Sequence, residues 1–392
     1  MTLFLASVRS AAEAEAALAG GADLIDLKEP DKGTLGALAL EDARSAVAVV
    51  ARRRPTSLVL GDLPMDPHIL ATAVERGAET GVEYVKVGLF DDVRRDACIA
   101  GLAHLRQKTR LIGVLFADQA IDLGLVDRLA AAGFAGALLD TARKDGGPLL
   151  ALRDSAWLSA FVGKCHERGL LAGLAGSLEP PDVPRLLPLQ PDILGFRGAL
   201  CRAGDRRSGL DPEAVSLLRE LIPRESRGDA ARGDGFDRVD YRLLVGRGYA
   251  VEPRDGASRT DRVLVRDLVL PASIGAYRNE HVAPQRVRFN VDAFVQRGTH
   301  APANMRDVLS YDVITDAIGR ILAEGHVELV EALAERIASG VLGQPRVVKV
   351  VVRVEKLDVG PAAVGVEITR ERTAEAVILK HQPPSSSGDA GS

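Results

Sequence analysis

Three short apolar stretches of this sequence carry charge where a buried strand would carry none. In LIDLKEP, Asp26 and Lys28 lie two apart, so on an extended strand they share one face while Ile25 and Leu27 take the other. In YVKVGL, Lys86 points opposite to Val85 and Val87. In GALLDTARKDG, Asp140 closes the apolar run and Lys144 lies just beyond it. The chain has 9 lysines against 41 arginines, so a need for solubility does not explain a lysine on an apolar strand. Lysine offers what arginine does not, an amine that can lose its proton and attack a carbonyl. Desolvation and a neighbouring ammonium lower a lysine pKa, and a carboxylate raises it. Two lysines and two aspartates in one pocket therefore suit Schiff-base chemistry on an aldehyde or ketone, with one amine as nucleophile and the other as proton carrier. The same spacing also describes an Asp26–Lys28 ion pair with no catalytic role. Lys144, flanked by Arg143 and Asp145, reads equally as a solvated loop charge.

The elements that must position these groups repeat one unit to about residue 222. Strand-like segments begin near Leu3, Leu24, Ser57, Tyr84, Leu111, Gly136, Leu170 and Asp192, separated by Ala-, Leu- and charge-rich segments of helical period. Most are continuously apolar, as in a parallel sheet buried on both faces. Eight such units predict a (β/α)₈ barrel of class α/β. An open doubly wound sheet is the alternative, weakened by the absence of Gly-x-Gly-x-x-Gly after the first strand. In a barrel, inward residues of alternate strands share a layer, so strands two, four and six bring Lys28, Lys86 and Asp140 together near the C-terminal rim. Strands seven and eight end in GLAGS, with Gly176 and Ser177, and GFRGA, with Arg197 and Gly198. Barrels commonly bind phosphate at these two loops, and Arg197 would add a bidentate contact. Tight turns alone would also call for the glycines. Lysines beside a phosphate cradle suggest a sugar phosphate.

The 392 residues allow two or three domains, and 46% hydrophobic with 27% charged is ordinary globular composition. A net charge of -4 gives no case for nucleic acid or an anionic membrane surface. No apolar run reaches the roughly 18 residues of a membrane span, and no basic n-region of a signal peptide precedes the first strand. Three scattered cysteines fit a reducing cytoplasm. The seven histidines show no metal-ligand spacing, so neither metal nor cofactor is expected. The barrel is assigned to 1–222 and a Gly-, Arg- and Asp-rich linker to 223–260, with an apolar insert at 241–251 of unassigned role. A second domain of ββααββ order, class α+β, takes 261–380, and the flexible tail 381–392.

The segments GGADLIDLKEPDKGTLGA, YVKVGL, LLDTARKDG, AGLAGSL and DILGFRGALC resemble (5-formylfuran-3-yl)methyl phosphate synthase, the 4-(hydroxymethyl)-2-furancarboxaldehyde phosphate (4-HFC-P) synthase of methanofuran biosynthesis. The resemblance covers essentially all of residues 1–222. It implies a TIM barrel condensing two glyceraldehyde 3-phosphate molecules to an aromatic furan, with loss of water and one phosphate. Carried over by position, Lys28 is the Schiff-base lysine, Lys86 the proton acceptor, and Asp26, Asp140 and Lys144 supporting residues.

The stretch IGAYRNEHVAPQRVRFNVD, with LSYDVITDAI, VELVEALAERI and VVVRVEKLDV, resembles dihydroneopterin aldolase over about residues 261–372. That likeness implies a tunnelling fold, a homo-oligomer and a dihydropterin ligand between subunits. It places the pterin-anchoring carboxylate at Glu331, the catalytic lysine at Lys356, the active-site tyrosine at Tyr311 and an acidic position at Glu280. The family's usual Lys-Pro is Lys356-Leu357 here. The chemistry is consistent: a carboxylate accepts the donor pair of a pterin bidentately, and a tuned lysine serves as base in a retro-aldol step. Together the likenesses imply one pathway for C1-carrier cofactors. The alternative is a Schiff-base sugar-phosphate aldolase joined to a non-catalytic pterin-binding or assembly module.

Overall fold

The computed structural model describes residues 1–143, 146–222, 260–298, 302, 308–359 and 362–372. Their contacts divide them into two units, one of residues 1–250 with 303–323, the other of 251–302 with 324–392, and the statements below concern the described residues of each.

In the first unit eight parallel strands close into a barrel in sequence order. They are β1 (Leu3–Val8), β2 (Leu24–Leu27), β3 (Thr56–Val59), β4 (Tyr84–Gly88), β5 (Arg110–Phe116), β6 (Gly136–Asp140), β7 (Leu171–Leu174) and β8 (Ile193–Phe196). Each starts within one residue of its expected position, because the buried apolar runs were long enough to read directly. The helices are α1 (Ala11–Ala19), α2 (Leu40–Val50), α3 (Pro67–Ala78), α4 (Arg95–Leu102), α5 (Gly124–Ala131), α6 (Leu149–Leu152), α7 (Ser155–Glu167), α8 (Val183–Leu186) and α9 (Pro212–Leu221). Several start on a side-chain cap that satisfies an otherwise orphan N–H: Ser10 on α1, Asp66 on α3, Asp154 on α7 and Asp211 on α9. Helix α10 (Asp312–Ala323) groups with this unit by its contacts.

Alternation along the strands builds two cores. Outward residues such as Ile25, Leu27, Val85 and Val87 join Ala14, Ala17, Ala43, Ala46 and Val50 in the layer between sheet and helices. Each fully buried large side chain there contributes roughly 1.5–3 kcal/mol. Inward residues fill the barrel: Leu5, Leu24 and Ile193 in one cluster, Val59, Ile112, Val114, Phe116 and Leu138 in another. Phe90 stacks on Phe116 with ring centroids 4.5 Å apart. Asp26 and Lys86 interrupt this apolar filling.

The second unit is a four-stranded antiparallel sheet in the order β12-β11-β10-β9. Its strands are β9 (Thr260–Ala272), β10 (Gln285–Gln296), β11 (Val347–Lys356) and β12 (Val364–Glu371), and helix α11 (Val330–Leu342) packs on β11 and β12. Strand β10 alternates strictly, with Val287, Phe289, Val291 and Ala293 fully buried, which is the pattern of a sheet with one covered face. Along the chain the expected ββααββ order is present, with its first helix, α10, grouped with the first unit.

Candidate active site

Lys86 and Asp26 form the deepest polar pair of the barrel. The Lys86 Nζ lies 2.6 Å from Asp26 Oδ1, with the side chains 6% and 1% exposed. Register explains the rest of the Asp26 environment. Ser7 on β1 and Ser57 on β3 are the Cα partners of Asp26 on the two flanking strands. Both therefore point inward beside it, and their hydroxyls donate to its carboxylate at 3.0 and 2.6 Å. Burial, the largest influence, pushes the Asp26 carboxyl up. The Lys86 charge and hydrogen bond, the Ser57 hydroxyl and the Lys28 charge outweigh it, so its pKa is lowered and the group stays ionised. Burial also pushes the Lys86 amine below the usual lysine value; Asp26 opposes and the Lys28 charge assists.

One step nearer the mouth, Lys28 follows β2 and sits 3.6 Å from Asp140 at the end of β6. Lys28 is 8% exposed. The loops that carry these two residues are anchored by carboxylates that accept backbone N–H groups. Asp62 accepts from the Thr34 and Leu35 N–H groups, each at 2.9 Å, and Asp118 accepts from Ala142 and Arg143 N–H, each at 2.8 Å. Thr34 Oγ1 donates to the Ala142 carbonyl, tying the two loops together. A Cβ on Gly36 would overlap the Glu29 carbonyl, which accounts for the second glycine of KGTLG.

At the ends of β7 and β8 the two glycines differ. Gly176 has φ +110 and a Cβ there would press on Thr141, so the turn itself requires glycine. An added Cβ on Gly198 meets only the Gly204 carbonyl oxygen, 3.6 Å away, so packing does not demand glycine there. Ser177 stands in the left-handed region at φ 51.

Arg197 does not reach toward this cradle, which corrects the expectation that it binds phosphate. Its Nε donates to the Arg206 carbonyl at 3.0 Å, and its Nη1 to the Ser7 carbonyl at 3.1 Å and Glu13 at 2.5 Å. Its Nη2 donates to Glu13 at 3.4 Å and the Ser208 carbonyl at 3.2 Å. A guanidinium has five N–H donors, and all five are engaged within the protein. Lys144 lies outside the described residues.

In the second unit, Lys356 ends β11 and its Nζ donates to Glu280 Oε1 at 2.7 Å. Gln285 Nε2 donates to the same oxygen at 3.0 Å. Gly275, at φ +128, leaves the space that the Glu280 carboxylate fills, and any Cβ there would overlap it. The hydrogen bonds from Lys356 and Gln285 hold the Glu280 carboxyl down at about 2. The pair thus contributes to stability above the ordinary glutamate range, and that contribution is lost as pH falls through about 2. A cleft of about 420 Å³ opens beside it, lined by Tyr277, Glu280, Glu331, Lys356 and valines of β12 and the preceding loop. Glu331 is in the first turn of α11, where a carboxylate is favoured by the helix dipole. Tyr311 does not line this cleft. It precedes α10, where its carbonyl accepts from Ile314 and Thr315 N–H, and its side chain is 61% exposed.

Residues 4–219 match the family model of 4-HFC-P synthase. The chain belongs to the 4-HFC-P synthase family. A putative (5-formylfuran-3-yl)methyl phosphate synthase of Methylorubrum extorquens is 46% identical over 227 residues, covering 58% of this chain and 94% of the relative. The (5-formylfuran-3-yl)methyl phosphate synthase of Methanocaldococcus jannaschii is 33% identical over 233 residues, covering 56% of this chain and 99% of the relative. Residues 263–369 match the model of FolB, dihydroneopterin aldolase, so a FolB domain follows the synthase barrel. A crystal structure of dihydroneopterin aldolase from Burkholderia thailendensis bound to guanine is 34% identical and covers 29% of this chain and 93% of that one, with a TM-score of 0.27.

Within the 4-HFC-P synthase barrel the structure brings Asp26, Lys28, Lys86 and Asp140 into one chain of charges. Sequence reasoning missed Ser7 and Ser57. Their signal was present: LFLASV and SLVLGD each carry one serine in an apolar strand. It also missed Glu13, whose partner Arg197 is 184 residues away. Among the described residues no group of three or more His, Cys, Asp or Glu could hold a metal ion, and no helix is long and apolar enough to cross a membrane.

Proposed function

We propose that the barrel condenses two molecules of glyceraldehyde 3-phosphate into (5-formylfuran-3-yl)methyl phosphate through an imine on Lys28. The observation that carries this is the stacked pair of ion pairs. Lys86 is clamped at 2.6 Å by a buried carboxylate, whereas Lys28, nearer the mouth, is held only at 3.6 Å by Asp140. Lys28 is therefore the amine free to add to an aldehyde carbon, with water leaving as the C=N bond forms. The resulting iminium makes the neighbouring C–H acidic, and Lys86, pushed down by burial, accepts that proton when neutral. Loss of one phosphate and of water balances two trioses against the furan phosphate with no oxidant or reductant. Gly176, Ser177 and Gly198 line the proposed phosphate end, and Lys144 keeps the supporting role that the family likeness gives it. Incubating the purified chain with glyceraldehyde 3-phosphate alone and weighing the product tests this. The furan phosphate is the expected mass; an aliphatic sugar bisphosphate would instead mark an ordinary Schiff-base aldolase.

For the second unit we propose a retro-aldol step on a dihydropterin. The Lys356–Glu280 pair beside Glu331 in one cleft supports it, with Glu331 as the anchor for the pterin donors. In the homo-oligomer that the family likeness implies, Tyr311 would come from a second copy. Lys356→Ala is expected to lower glycolaldehyde release from dihydroneopterin by roughly 10²–10⁴-fold. No release from the parent chain, with a changed oligomer size on truncation near residue 240, would make the unit an assembly module. We place the protein in the cytoplasm on its three buried, unpaired cysteines.

A further inference from the structure

Arg206 is a half-buried cation with no directly paired anion among the described residues. It lies in the loop between β8 and α9, whose backbone is fastened by Arg197 through the carbonyls of Arg206 and Ser208 at 3.0 and 3.2 Å. Glu13 on α1 in turn holds Arg197 at 2.5 Å. The loop is closed on itself by Ser208 N–H donating to the Asp205 carbonyl at 2.8 Å. This fixed backbone presents a guanidinium whose Nε is buried and unpartnered. Three other arginines share an unpartnered buried Nε, but each has a partner elsewhere on its head group. Arg95 has Asp91, Arg128 has Asp122, and Arg153 has the Gln119 carbonyl. Arg206 has no side-chain hydrogen bond or ion pair among the described residues.

Its surroundings say where it stands. The adjacent Arg207 pairs with Asp31 at 3.0 Å, and its carbonyl accepts from Arg9, which also contacts Glu29, the residue after Lys28; of the charged groups that act on Arg206, Asp140 acts most strongly. Asp140 is the residue that holds Lys28. The Arg206 loop, which follows the eighth strand, therefore lies against the segment just after Lys28. A half-buried guanidinium left without acceptors is unfavourable, and a fixed backbone behind it makes the arrangement purposeful only if an anion completes it. The planar fork suits a phosphate, which accepts two parallel N–H bonds.

We propose that Arg206, rather than Arg197, grips the phosphate of the aldehyde held at Lys28, and that Arg197 with Glu13 is the positioning pair behind it. This rests on the imine reading of Lys28 for the identity of the substrate, though not for the anion site itself.

The test uses the full chain and two readouts. The first is the concentration dependence of borohydride trapping with glyceraldehyde 3-phosphate and with unphosphorylated glyceraldehyde. Arg206→Ala is expected to raise the half-saturating concentration of the phosphate ester by about 10-fold or more, to leave that of glyceraldehyde unchanged, and to be partly rescued in Arg206→Lys. An equal change for both aldehydes, or none for either, would overturn the proposal. The second readout is calorimetric binding of inorganic phosphate, which needs no chemistry. Binding by the parent chain that weakens in Arg206→Ala supports the site even if no aldehyde is ever trapped, in which case only the Lys28 reading falls. Equal phosphate binding by parent and variant, both folded by thermal unfolding, would remove Arg206 from the site.

Discussion

Lys28→Ala is expected to form no borohydride-trapped adduct and no furan chromophore, whereas Lys86→Ala should still trap the aldehyde but turn over roughly 10²–10⁴-fold more slowly. The asymmetry follows from the two ion pairs. Lys28 sits near the mouth with Asp140 at 3.6 Å, a separation that leaves its nitrogen open to an incoming carbonyl. Lys86 is deeper, 5% exposed, with Asp26 at 2.6 Å, which fits the proposed role of proton acceptor rather than nucleophile. Removing Lys86 leaves Asp26 with its two serine donors, so the floor of the pocket keeps its hydrogen bonds and Lys28 keeps its approach. Mass analysis of the reduced protein locates the adduct, and ultraviolet absorbance follows the ring. Furan formation by Lys28→Ala at the parent rate would show that the nucleophile lies elsewhere.

Much of this site could be read from the chain because charge inside an apolar strand is a strong departure from pattern. Asp26, Lys28, Lys86 and Asp140 stood out beside Ile25, Leu27, Val85, Val87 and Leu139, and strand alternation in a barrel then fixed which of them could meet. Ser7 and Ser57 were harder, since a serine is no anomaly in a sheet until register sets it opposite a carboxylate. Arg197 misled. A basic residue after the eighth strand is where phosphate recognition is expected, and only the contact with Glu13, on a helix at the other end of the unit's sequence, shows that its donors are taken. Arg206 carried no pattern at all, lying among Arg202, Asp205 and Arg207 in a polar loop. In the second unit Glu280 and Lys356 were singled out only by family likeness, and their pairing, across 76 residues, emerges only in the structure. Gly275 was the local clue, because a glycine five residues before a buried carboxylate leaves room for it.

Asp26→Ala should destabilise the barrel by about 3–5 kcal/mol, the effect of leaving one partner of a buried ion pair alone. Three groups lose their acceptor at once: the Lys86 ammonium and the Ser7 and Ser57 hydroxyls. The pH dependence separates this cause from simple cavity formation. In the parent chain burial already lowers the Lys86 pKa and Asp26 opposes that; without the carboxylate it falls further. The unfolded chain then binds more protons than the folded one up to the ordinary lysine value near about 10.4, so the stability of the variant rises with pH toward that value. The gap between variant and parent accordingly narrows from neutral pH to alkaline pH, read as urea midpoints at several pH values. A cavity would give a gap independent of pH. Adding Lys86→Met to Asp26→Leu replaces the pair by apolar groups of similar size, and buried pairs so replaced are often neutral or better for stability. That double variant is expected to regain most of the lost stability while remaining inactive. Such a result would mean that the barrel carries its buried charges for the chemistry of the amines and not for the strength of the fold. A single variant within about 0.5 kcal/mol of the parent, the ordinary range of surface substitutions, would show that Asp26 and Lys86 do not form the coupled pair on which the proton-transfer role depends.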